Sequence, residues 1–198
     1  MDRRLMDAEA IVFDVGQVLL LFDGARVSGL LPEKHRAQLH DAMFSGPDRL
    51  WPLFDLGAES NETIARRIAR KAGCPDDWQD VVGLLSRFHE TLEPLPMTAL
   101  LPELRAAGKR LYCLTNFPEP SLTLAWDKFD FFRLMDGAVV SAREKLVKPD
   151  PAIFRLLRDR YSLDPKTTLF IDDVKENTDS AAKEGFRVWH YAGEDRVF

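Results

Sequence analysis

The run from Glu9 to Val15 is apolar and β-branched, bounded by charge on one side and glycine on the other. That is the pattern of a strand buried on both faces of a parallel sheet. Similar short runs recur at Arg110 to Thr115, Gly137 to Val140, Thr168 to Ile171 and Phe186 to Tyr191, with helical patterns between most of them. Strands alternating with helices predict an α/β fold on a doubly wound, mostly parallel sheet. Between the first run and the second lie about ninety residues without a convincing strand, far more than an ordinary crossover needs. The sequence therefore predicts an inserted α-helical cap, with residues 1–20 and 94–198 forming the α/β core and residues 21–93 the cap. Hinges fall near Gly16 to Gly24 and Leu92 to Pro96.

Helix signals refine this outline. Asp150 can cap a helix that has Pro151 in its first position and Ile153, Leu156, Leu157 and Tyr161 along one apolar stripe. After Asp173 another helix carries Ala181 and Ala182 for close packing and ends at Gly185. Inside the insertion, Ser60 or Asn61 can start a helix whose Ile64, Ile68 and Ala72 face inward, stopped by Gly73 and Pro75. Asp76 and Gln79 have capping-box spacing before an apolar face of Trp78, Val81, Val82, Leu85 and Phe88.

Composition narrows the function classes. A chain of 198 residues can bury a substantial core, and its net charge of -5 lacks the basic footprint of nucleic-acid binding. The greasy stretch Ala10 to Phe22 is interrupted by Asp14 and Gln17 and falls short of the roughly 20 residues of a membrane span. Neither a transmembrane helix nor a signal peptide is expected, so the protein is expected in the cytoplasm. Cys74 and Cys113 stand far apart without a CxxC, and the four histidines are scattered, so no zinc or histidine-based site is expected. The basic stripe Arg66, Arg67, Arg70 and Lys71 reads as a solvated helix face.

Chemistry concentrates in four short stretches: Phe13-Asp14-Val15-Gly16, Leu114-Thr115-Asn116, Lys148-Pro149-Asp150-Pro151 and Ile171-Asp172-Asp173. Three of them end a predicted strand, and in an open parallel sheet the C-terminal strand ends meet at the ligand crevice. Asp14 there suits a nucleophile that attacks phosphorus to form an aspartyl phosphate; a plain loop-capping role is the alternative. Adjacent Asp172 and Asp173 would repel each other unless a cation intervened. Magnesium suits Asp14, Asp173 or Asp172, and the Gly16 carbonyl, together with phosphate oxygens; the alternative is an acidic helix start. Lys148, extended before Pro149, can reach inward to hold Asp14 and a phosphate oxygen. Thr115 and Asn116 offer a hydroxyl and an amide to the phosphate, or else cap the turn before Pro118. Asn177 ties the acidic loop together and supports the metal shell from behind.

With these residues in view, the chain resembles the haloacid dehalogenase superfamily along its whole length, in the branch whose helical cap follows the first motif. Asp14 matches the nucleophile position, Thr115 the second motif, Lys148 the third and Asp172-Asp173 the fourth, while Gly57 after Phe54-Asp55 matches a recurrent cap turn. Phosphatases of this superfamily usually carry an acid/base Asp where this chain has Gly16. The stretch Phe13 to Leu19 is similar to a glycine-bearing subgroup that includes bacterial sugar phosphatases acting on α-glucose 1-phosphate. The resemblance implies a magnesium-dependent phosphatase for a small phosphorylated metabolite. With no acid at Gly16, substrates with good leaving groups, such as anomeric sugar phosphates and acyl phosphates, are expected to be favoured. The competing readings are a 2-haloacid dehalogenase, which attacks through Asp without the second acid and without a metal, and a non-catalytic binder of a phosphorylated ligand or protein.

Overall fold

The computed structural model describes residues 2–119 and 121–191; the end of the expected core range, 192–198, lies outside them. At the centre is a five-stranded parallel sheet made of β1 (Ala10–Phe13), β4 (Arg110–Thr115), β5 (Gly137–Val140), β6 (Thr168–Asp172) and β7 (Arg187–His190). Its spatial order is β5-β4-β1-β6-β7. Two short strands, β2 (Leu20–Leu21) and β3 (Glu93–Pro94), pair antiparallel beside it. The chain fills one side of β1 with β4 and β5 and then returns to fill the other, so the switch in strand order falls at β1. Such a switch opens a crevice at the carboxyl ends of the strands.

Alternation along each strand builds two core layers. Ile11 and Phe13 of β1, with Leu111 and Cys113 of β4, face one layer; Ala10 and Val12, with Tyr112 and Leu114, face the other. The second layer is closed by Ile153, Phe154 and Leu157 of the helix Pro151–Tyr161, which Asp150 caps by accepting from the Ala152 N–H. All four β1 residues are fully buried, as a central parallel strand requires. β1 is shorter than the predicted run because Val15 to Leu20 folds into a tight turn, with Leu19 and Leu20 N–H donating to the Val15 carbonyl.

Between β2 and β3 the chain is helical, including Arg36–Phe44, Trp51–Leu56, Asn61–Lys71 and Trp78–Arg87. Their inward residues, among them Leu39, Phe54, Ile64, Ile68, Val81 and Leu85, join the first layer of the sheet in one continuous core. Ser60 caps Asn61–Lys71 as its spacing predicts. The expected capping box at Asp76 and Gln79 does not form. Pro75–Asp77 makes a separate short turn, Asp77 sits at the N-cap of Trp78–Arg87 without bonding an amide there, and its carboxylate turns to His35 Nδ1 at 2.6 Å. The basic stripe is exposed: Arg66 lies over Trp78 and pairs with Glu62, while Lys71 pairs with Asp48. No helix among the described residues is long and apolar enough to cross a membrane.

Candidate active site

Register brings the chemistry together. Phe13 lies level with Cys113 on one side and Ile171 on the other, so Asp14, Thr115 and Asp172 end three adjacent strands at nearly one height. Lys148 arrives from the loop before the helix Pro151–Tyr161. Its ammonium sits between two carboxylates, 2.9 Å from Asp14 Oδ1 and 2.6 Å from Asp172 Oδ2. Lys148 and Asp172 are buried and Asp14 is nearly so. A buried pair of acids beside one ammonium leaves a net negative charge, which suits a cation.

Each member has a distinct environment. Asp14 Oδ1 also accepts the Val15 N–H at 2.7 Å, whereas no hydrogen bond reaches Oδ2 among the described residues. Burial pushes the Asp14 carboxyl up to about 7; Lys148 pulls against that shift and Asp172 adds to it. For Lys148, burial favours the neutral amine, but Asp14 and Asp172 more than offset it and raise the ammonium above its ordinary value. Asp172 is fully committed: Oδ1 accepts Val174 N–H at 2.8 Å and Asn177 Nδ2 at 3.0 Å, and Oδ2 accepts Lys148 and Asn177. Asp173 instead lines the open cavity, with Asp14 and Gly16. Oxygens of Asp14, Asp172 and Asp173 lie within 4.8 Å of one another, a hard oxygen donor set that fits a small divalent cation.

The remaining predicted residues take different positions. Thr115 is 1% exposed, and its Oγ1 is buried at the end of β4 with no hydrogen-bond partner among the described residues. A buried hydroxyl left unpaired is costly unless something enters to bond it. Asn116 lines the cavity, but its side-chain amide clamps the Lys148 peptide: Lys148 N–H donates to Oδ1 at 2.8 Å and Nδ2 donates to the Lys148 carbonyl at 3.0 Å. Gly16 borders the cavity, and a Cβ built on it would meet nothing within 4 Å, so space alone does not require glycine there.

Above this floor stands a cavity of about 620 Å³ with aromatic walls contributed mainly by the helical insertion. Trp51 is central, 5.2 Å from Phe22, 4.7 Å from Phe44 and 5.2 Å from Phe88 between ring centres. Phe117, from the loop after β4, continues the wall beside Phe88. Two further polar residues on this cavity carry no motif of their own: Asp55, a half-buried carboxyl, and Arg49. The local cue for Asp55 was its place in Phe54-Asp55-Leu56-Gly57, a helix end with Gly57 at φ +63.

Comparison with known proteins agrees with this geometry. Residues 8–185 match the pattern of the haloacid dehalogenase-like hydrolases. The sesquiterpene phosphatase astK of Aspergillus oryzae is 25% identical over 178 residues, covering 89% of this chain and 86% of that protein. A HAD family enzyme of Bacteroides thetaiotaomicron, solved as an aspartate-to-alanine variant in complex with magnesium and inorganic phosphate, has a TM-score of 0.77 at 22% identity, with 95% and 96% of the two chains covered. L-2-haloacid dehalogenase from Xanthobacter autotrophicus has a TM-score of 0.67 at 18% identity, with 91% and 76% covered. A parallel sheet switching at β1, three motifs on its strand ends with a fourth on a loop beside them, and a pattern match over nearly the whole chain lead to one conclusion: this protein belongs to the haloacid dehalogenase-like hydrolases.

Proposed function

We propose that this hydrolase is a magnesium-dependent phosphatase that cleaves a small phosphomonoester through an aspartyl phosphate on Asp14, with residues 21–93 as its cap. The observation that carries the reading is the Lys148 ammonium locked between Asp14 and Asp172, with Asp173 lining the same cavity as Asp14. Asp14, Asp173 and the Gly16 carbonyl would hold the magnesium ion, which when bound supplies charge that draws the phosphate in and polarises phosphorus. Asp172 would steady the lysine rather than bind the metal, since every hydrogen bond it accepts is already in place, and Asn177 fixes it from behind. The Thr115 hydroxyl and the Lys148 ammonium would bond phosphate oxygens. Asp14 Oδ2, the oxygen free of hydrogen bonds, would attack phosphorus while Oδ1 stays on Lys148 and Val15. The aromatic walls would limit the bulk water that reaches the first step.

The walls bear on the substrate. A sugar phosphate needs polar partners for its hydroxyls, whereas Phe22, Phe44, Trp51, Phe88 and Phe117 present rings. We favour a phosphomonoester with an apolar body over a sugar phosphate, a choice supported by the relative that acts as a sesquiterpene phosphatase. The metal-free dehalogenase alternative leaves Asp173 without a task, since Asp172 holds Lys148 in either reading, and a non-catalytic binder leaves Asp14 without a reaction to serve. We place the protein in the cytoplasm, in keeping with its free, buried Cys74 and Cys113.

The test is phosphate release from a panel of apolar and sugar phosphomonoesters, with and without magnesium. Activity is expected only with the metal, and Asp14→Asn is expected to lower kcat by on the order of 10⁴-fold or more. Halide release from a 2-haloacid by a protein inert to every phosphoester would replace this reading with dehalogenation.

A further inference from the structure

We propose that Asp55 is the acid and base of the reaction, reaching down from the cap to do what Gly16 cannot do from the strand loop; the inference rests on the phosphatase reading above. Gly16 carries no side chain, and the volume where one would begin is open. Asp55 lines the cavity that opens there, beside Asp14, Gly16 and Lys148. The other carboxylates on that cavity are committed or remote: Asp14 and Asp173 belong to the nucleophile and metal set, and Glu176 is exposed at the mouth. No hydrogen bond or ion pair reaches the Asp55 carboxyl among the described residues.

Its position is set by the core as well as the cap. Ser141, just after β5, donates from Oγ to the Asp55 carbonyl and accepts the Phe117 N–H at 2.9 Å. Lys145 Nζ donates to the Gly57 carbonyl. A Cβ at Gly57 would lie 2.7 Å from that of Ala142, so the turn is pressed against the core with room for hydrogen alone. The helix end carrying Asp55 is thereby anchored over the strand tips. The charged groups that act on it are Asp14 and Lys148, while Arg49, Asp173 and Glu176 line the same cavity. Burial, reinforced by Asp14 and opposed by Lys148, holds the Asp55 carboxyl well above the ordinary carboxylate range, so it retains the proton that a leaving group requires.

The steps balance. Asp14 Oδ2 forms the bond to phosphorus, the ester P–O bond breaks with its electron pair on the leaving oxygen, and the Asp55 proton moves to that oxygen to release the alcohol. The Asp55 carboxylate then takes a proton from water as the water oxygen bonds to phosphorus. The P–O bond to Asp14 breaks, inorganic phosphate leaves, and Asp55 is again protonated.

Asp55→Asn, loaded with magnesium, separates the possibilities when assayed on an alkyl phosphate and on 4-nitrophenyl phosphate. A general acid is worth on the order of 10²- to 10⁴-fold, and that loss is expected for the alkyl ester. The burst of nitrophenol, whose departure needs no proton, is expected to change by less than about tenfold, and phosphorylated Asp14 is expected to accumulate because water is no longer activated. Unchanged circular dichroism and unchanged phosphate binding by calorimetry would show that the fold and site persist. Alkyl phosphate turnover within about tenfold of wild type overturns the role of Asp55, as does an equal loss on both esters without trapped phosphoenzyme. A wild-type protein that cleaves neither ester and never labels Asp14 overturns the phosphatase reading, and this inference with it.

Discussion

Lys148 holds one positive charge between two buried carboxylates, and its removal leaves both without their shared counterion. Lys148→Met is therefore expected to lose on the order of 3–5 kcal/mol of stability at pH 8, read from urea unfolding. The loss should shrink at lower pH, where Asp14 takes up a proton; an equal loss at pH 5 and pH 8 would contradict this account. Asp14 itself carries the pH dependence. Its carboxyl is raised in the folded state from an ordinary 3.8 to about 7, so its contribution to stability is fully present below 3.8 and is lost as pH rises through about 7. Magnesium bound to the carboxylate must displace that proton. The rise in Tm on adding magnesium is accordingly expected to be larger at pH 8 than at pH 5, and a pH-independent rise would remove Asp14 from the metal set.

At the level of elements, the loop after β5 couples the helical insertion to the sheet. Ser141 bonds a carbonyl of the helix Trp51–Leu56 and an amide of the loop after β4, so one hydroxyl ties three segments together. Ser141→Ala leaves the buried Phe117 N–H unpaired and is expected to cost about 1–3 kcal/mol. Gly57→Ala adds a methyl against Ala142 at a positive φ and is expected to cost a similar 1–3 kcal/mol, seen as a lower Tm. Tolerance of either change in thermal unfolding would mean that the turn at Gly57 is not seated on the core. The same logic explains Asn116: its amide serves the Lys148 backbone, aligning two motifs that are 32 residues apart in the chain.

Across the whole molecule, the helical insertion and one face of the sheet share a single core, and the cavity is a gap in that shared packing. Trp51, 8% exposed, touches Phe22, Phe44, Phe54 and Phe88 and forms much of its wall. Trp51→Ala removes roughly 1.5–3 kcal/mol of apolar contact, so KM for an apolar phosphomonoester is expected to rise about 10- to 100-fold. Affinity for inorganic phosphate, which meets only the floor, should hardly change; equal effects on both ligands would place the substrate body elsewhere. The insertion also gathers ligand atoms of His35, Cys74 and Asp77 within 4.8 Å of one another, a convergence hidden by the scatter of histidines and cysteines along the chain.

Local pattern sufficed for the strands, their parallel alternation with helices and the placing of Asp14, Thr115 and Asp172 at strand ends. Burial on both faces of a parallel sheet demands continuous apolar runs, and the residue that ends such a run must project where the sheet stops. The family is legible for the same reason, since its motifs sit within those runs. Strand limits shifted by a residue or two where the turn after Val15 and the ladder at Asp172 overrode hydrophobicity. Local pattern placed Lys148 near Asp14 and Asn177 at the acidic loop, but it could not supply that Asp173 faces the cavity while Asp172 is taken up by Lys148 and Asn177, that Asn116 clamps Lys148, or that Asp55 lines the same cavity as Asp14 among aromatic rings. The first two depend on how loops and helices pack around the strand ends, and the last on how the helical insertion docks on the sheet; both are decided by the summed fit of many side chains rather than by the periodicity of any one segment.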